Sequence, residues 1–85
     1  EYTKAIAIYD QVIATLPDPV PDHYWYLIYA RGMTLERLGQ WDRAEKDLLA
    51  ALRIKPDNPY IMNYLAYGWA DQGKNLDRAV DMLER

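Results

Sequence analysis

The residue pattern predicts an all-α chain of about five helices folded into short antiparallel hairpins. Apolar residues recur at steps of three and four, the period of one helix face. Prolines and glycines at 17–21, 39, 56–59 and 73 separate these periodic stretches. No stretch alternates apolar and polar residues as a half-buried strand would.

The first stretch puts Tyr2, Ala5, Ile6, Tyr9, Val12, Ile13 and Leu16 on one face, and Pro17 ends it. Pro17, Pro19 and Pro21 exclude a helix from the next segment. Each proline ring removes a donor and pushes its predecessor into extended backbone. Asp22 then stands as the N-cap of a helix to Leu38, with Gly39 as its left-handed stop. Trp41, Ala44, Leu48, Ala51 and Leu52 carry the spacing through a helix from Gln40 to Ile54. Asn58 followed by Pro59 supplies a cap and a proline at the first helical position. They open a helix to Gln72, which Gly73 stops. Leu76, Ala79, Val80 and Leu83 mark the last helix.

Eighty-five residues make one domain, with 51% hydrophobic and 27% charged residues in the balance of a globular chain. The apolar runs are too short to span a bilayer, so no direct membrane insertion is expected. A net charge of -3 argues against a nucleic-acid partner. The chain has no cysteine and therefore no disulfide or thiolate site. A lone histidine, His23, excludes a multi-histidine metal centre and reads as a loop or first-turn residue. Gly32, Gly39, Gly68 and Gly73 are scattered and form no phosphate-cradling loop. Asp57 and Asn58 read as capping residues, since their loop is too short for a calcium site. No nucleophile–base–acid set is present, so the expectation is a chain with no catalysis, cofactor or metal. It opens on Glu1-Tyr2-Thr3 without a start methionine and is read as a piece of a longer protein.

The stretches also repeat. Gly39 and Gly73 stand 34 residues apart, as do Leu35 and Trp69, Gly32 and Ala66, and Ile28 and Met62. Tyr2-x-x-Ala5-x-x-x-Tyr9, Trp41-x-x-Ala44-x-x-x-Leu48 and Leu76-x-x-Ala79-x-x-x-Leu83 share one template. Ala5 to Pro17 and Ala44 to Pro56 are the same step. Small residues at Gly32, Ala44, Ala66 and Ala79 let helix backbones approach. Leu35, Leu48, Trp69 and Leu83 fill the volume beside them. A hairpin of this kind cannot bury its apolar face alone and stacks on its neighbours.

The pattern resembles the tetratricopeptide repeat along the whole chain. Residues 1–16 correspond to the second helix of one repeat, 22–56 to a second repeat and 57–85 to a third. The segment from Asn63 to Gly73 is similar to bacterial members of the family, some of them exported as lipoproteins. The resemblance implies a right-handed superhelix of hairpins whose first helices line a concave face. It also implies a non-catalytic adaptor or scaffold that binds a protein or peptide. The positions matching the family's ligand contacts are Tyr26, Tyr29, Met33, Glu36 and Arg37 on one first helix. On the next they are Tyr60, Asn63, Tyr64, Tyr67 and Asp71. Aromatic and methionine side chains suit such an interface. Some members grip a peptide carboxylate with lysine, asparagine and arginine. Here only Asn63 and Arg37 have that chemistry, and Glu36 and Asp71 disfavour an acidic ligand. Alternatives are a repeat that only self-assembles, or the accessory region of an enzyme whose catalytic domain lies elsewhere.

Departures from the repeat carry their own expectations. The Pro17–Ile28 segment is five residues too long, so either the linker bulges or the helix gains a turn at Tyr24-Trp25. One extra residue falls within Gly73-Lys74-Asn75-Leu76. Arg31 and Glu45 replace residues that are apolar in the other repeats, which predicts an ion pair between them. Arg43, Lys46 and Arg53 alternate with Asp42, Glu45 and Asp47, the mark of a solvated face. The end helices should expose apolar stripes, Ile6, Tyr9 and Ile13 among them, and so promote self-association.

Overall fold

The computed structural model describes residues 1–84. Its elements in chain order are α1 (Tyr2–Ala14), a 3-10 turn (Asp22–Tyr24), α2 (Trp25–Leu38), α3 (Trp41–Ile54), α4 (Pro59–Gln72) and α5 (Leu76–Glu84). No strand occurs among the described residues. α1 packs on α2, α2 and α3 form a hairpin, α3 packs on α4, and α4 and α5 form the next hairpin. The Cα envelope measures 36 × 26 × 16 Å, so it is about two helices deep in its thinnest direction.

Local chemistry accounts for each boundary. Asn58 Oδ1 accepts from the backbone N–H of Tyr60 and Ile61, and Pro59 occupies the first turn where its missing donor is harmless. Gly39 and Gly73 close α2 and α4 at φ of 88° and 66°, a region that costs glycine nothing. α1 stops at Ala14, two residues before the expected Leu16. Thr15 caps it, its Oγ1 donating to the Val12 carbonyl, and Pro17 disfavours helical backbone at Leu16. Asp22 makes no side-chain cap. It opens the 3-10 turn, and α2 begins at Trp25. Both accommodations of the long segment are therefore present. The linker bulges with Val20 packed against the core, and the additional turn is 3-10. In the last hairpin the extra residue is absorbed by Asn75, whose φ of 50° asparagine tolerates.

The core repeats along the stack. Leu35, Leu48, Ile61, Leu65 and Trp69 are fully buried, with Ala44, Ala51, Ala66 and Ala79 between them. Gly32 lets α2 approach α3 closely, since a Cβ there would lie 2.9 Å from Asp47 Cβ and 3.1 Å from Leu48 Cγ. Gly68 has the same role between α3 and α4. A Cβ on it would meet the Trp41 ring at 2.2 Å, so the indole lies against bare backbone. Leu83 does not fill a core position as the repeat template predicts. It is exposed at the end of the stack, where the described chain supplies no further helix.

The polar residues of this hairpin pair differently from expectation. Arg31 does not reach Glu45. Its Nε and Nη2 donate to Asp47 Oδ2 and Oδ1 at 2.7 and 2.9 Å, and its Nη1 donates to Asp10 Oδ1 at 3.0 Å. Arg43 approaches the same Asp10 oxygen at 3.6 Å. One guanidinium thus ties α1, α2 and α3 together at a position where the next repeat has Leu65. The bond to Asp47 raises the Arg31 pKa, opposed by partial burial, so the charge is permanent. Glu45 instead accepts from Trp69 Nε1, and the Arg78 guanidinium lies 4.7 Å from the Trp69 ring on the other side of the hairpin. Asp47 is buried and Glu45 half-buried, so the mixed charges of α3 are not all a solvated face.

The exposed apolar stripe of α1 is also displaced. Ile6 is buried and Tyr9 and Ile13 are half-buried, because α1 uses that face against its neighbours. Tyr2, Ile8 and Val12 are the residues left exposed. At the other end they are Leu76, Val80 and Leu83.

Candidate functional site

The first helices α2 and α4 lie side by side, and their outward residues form one surface. The helical period selects them: the core takes Ile28, Leu35, Ile61, Leu65 and Trp69, and the opposite flank carries the tyrosines. Tyr64 joins the two helices. It is half-buried, its ring meets Tyr29 edge-on at a centroid distance of 5.9 Å, and its hydroxyl accepts from Arg37 Nη2 at 3.2 Å. Edge-to-face pairing is the favoured geometry for two rings with negative faces. Trp25 extends the cluster, 6.0 Å from Tyr29.

This packing sets the chemistry of the groups. Burial raises the Tyr29 pKa above the ordinary phenol value, reinforced by Tyr64 and Tyr60 and opposed by Arg37. Tyr29 is neutral across the physiological range. The phenols of Tyr64 and Tyr2 raise the Arg37 pKa, so that side chain is always cationic.

Beside Tyr64 lies a cavity of about 290 Å³, lined by Glu36, Asn63, Tyr64, Tyr67, Gly68 and Asp71. Five of the ten expected site residues therefore meet in one depression, Glu36 from α2 and the rest from α4. Tyr29 and Arg37 support its Tyr64 wall. Tyr26 and Tyr60 are exposed along the same two helices, outside the cavity, with 50% and 69% of their surface accessible. Met33 is half-buried and does not line it. Gly68 belongs to the site although its residue type gave no sign of this. The signal available was its place one residue after Tyr67, on a helix that Trp41 must approach closely.

The remaining cavities are less suited to a partner. One of about 270 Å³ lies beneath the proline linker, between Val20, Ile28 and Ile54, and others flank the turns at 39–43 and 55–58. No group of three or more potential metal ligands is present among the described residues. No described helix is long and apolar enough to cross a membrane.

Stacked antiparallel hairpins with an open face of first helices define an α-helical repeat module. Residues 25–58 match the family model of the tetratricopeptide repeat. The segment is such a repeat, and the all-α stack of helix hairpins around it is compatible with that architecture. Repeats of this family are generally protein-interaction modules. No solved structure matches the chain.

Proposed function

We propose that the chain is a non-catalytic adaptor or scaffold module holding a peptide or partner segment along the concave face of α2 and α4. In this reading residues 1–16 are the second helix of one repeat, 22–56 a second repeat and 57–85 a third. The observation that carries it is the cavity bounded by Tyr64 and Tyr67, flanked along the helices by exposed Tyr26 and Tyr60. Exposed phenols give a large, stiff contact area at low entropic cost. The exposed ones have little intramolecular work: Tyr67 is 61% accessible. Tyr29 contributes through Tyr64, so it shapes the face more than it touches a ligand. Tyr67→Ala is the direct test. It is expected to weaken a titrated partner segment by about 1–2 kcal/mol without changing thermal stability. Unchanged affinity for Tyr67→Ala and Tyr60→Ala, with loss on changing Lys46 or Arg53, would move the site to the opposite face.

A second reading, self-assembly through the ends, is favoured by one observation. Ile8 and Val12 on α1, and Leu76, Val80 and Leu83 on α5, are large apolar residues left in water.

A further inference from the structure

We propose that the cavity between α2 and α4 receives a lysine or arginine side chain of the bound segment, an inference that rests on the groove reading above. The polar side chains lining it are Glu36, Asn63, Asp71 and the two tyrosines, and no basic residue contributes to its wall. Among the described residues neither the Glu36 nor the Asp71 carboxylate has a hydrogen-bond or ion-pair partner. A cation seated in this depression would be attracted by both uncompensated carboxylates. The rings of Tyr64 and Tyr67 act in the same direction, because the negative face of an aromatic ring attracts a cation. A lysine or arginine stem would lie on these rings while its charged head meets the carboxylates.

The Arg37 cation does not compete for the space. Arg37 is held on the Tyr64 hydroxyl and is not part of the lining. Asn63 offers an amide that can donate to, or accept from, the backbone of the same segment. A peptide's terminal carboxylate would face Glu36 and Asp71 with no cation in the wall to receive it.

The test is selection of random dodecapeptides displayed on phage against the 85-residue chain, followed by titration of synthetic copies. The selected peptides are expected to share one lysine or arginine. Replacing it with norleucine should weaken binding about five- to tenfold. Glu36→Gln and Asp71→Asn should each weaken the basic peptide and leave the norleucine peptide unchanged. Added salt should likewise weaken only the basic peptide. Circular dichroism of both variants confirms that the fold is intact. Peptides that require Tyr67 but share no basic residue, or that bind the Glu36→Gln, Asp71→Asn double variant at full strength, would overturn this inference and leave the groove standing. Peptides indifferent to Tyr67→Ala, or a library that yields no binder, would overturn both.

Discussion

Arg31 shows how one residue can hold three helices. Its side chain is 21% exposed and that of its main partner Asp47 11%. Each charge is therefore costly to leave alone. Asp47→Ala leaves the guanidinium with Asp10 as its one remaining carboxylate and should lower unfolding stability by about 2–3 kcal/mol, less than for a fully buried pair. Adding Arg31→Leu, the residue the next repeat uses, should recover part of that loss; urea denaturation of both variants measures it. Gly68 is the complementary case, fixed by volume. Gly68→Ala drives a methyl into the Trp41 ring and should cost about 1–3 kcal/mol. If the clash is the cause, combining it with Trp41→Leu will cost less than the two single changes summed, which a double-mutant cycle decides. The anomaly at Arg31 was legible in the sequence, but its partner was not. Both Glu45 and Asp47 replace apolar residues of the other repeats, since Ile8 and Met82 stand opposite Asp47. Only the close approach at Gly32 decides between them, by bringing Asp47 against α2 beside Arg31.

At the scale of elements, α4 agrees with expectation at both ends because three local signals coincide there: Asn58, Pro59 and Gly73. Removing the cap with Asn58→Ala should cost about 1 kcal/mol and loosen the first turn, including exposed Tyr60. Hydrogen exchange at the start of α4 compared with its centre would show whether the loss is local. The α1 and α2 boundaries were less legible for a common reason. Helical periodicity continues through Leu16 and back to Asp22, whereas the linker prolines and the 3-10 turn shorten both helices. Nothing in the residue types separates a 3-10 turn from the first turn of an α-helix.

For the molecule as a whole, the stack is buried in its middle and exposes apolar side chains at its ends. Ala44, Leu48 and Ala51 are fully buried in the middle hairpin. The outer helices leave Ile8 and Val12 of α1 and Leu76, Val80 and Leu83 of α5 in water. Terminal repeats normally present a polar outer face. The chain is expected to associate as its concentration approaches millimolar, and Ile8→Ser with Val12→Ser should reduce that association. Sedimentation velocity tests it, and an invariant monomer would contradict it. The candidate site was legible to a similar degree. The pattern located the two first helices and their outward residues. Which of those residues share a cavity depends on how α4 is set against α2, and that follows from Tyr29, Tyr64 and the Trp41–Gly68 contact rather than from spacing alone.

The three indoles stand at three different junctions. Trp25 is half-buried at the entrance to α2, with the Lys55 ammonium 6.0 Å from its ring. Trp41 lies against Gly68 between the two hairpins. Trp69 is enclosed within the last hairpin, bonded to Glu45 and stacked on Arg78. Indole emission responds to water and to nearby charge, so the chain carries three intrinsic optical reporters in three surroundings. Fraying of α5 would withdraw the cation from Trp69 while Trp41 stays dry, and separation of the hairpins would wet Trp41. Fluorescence can therefore tell an end that loosens from a stack that comes apart.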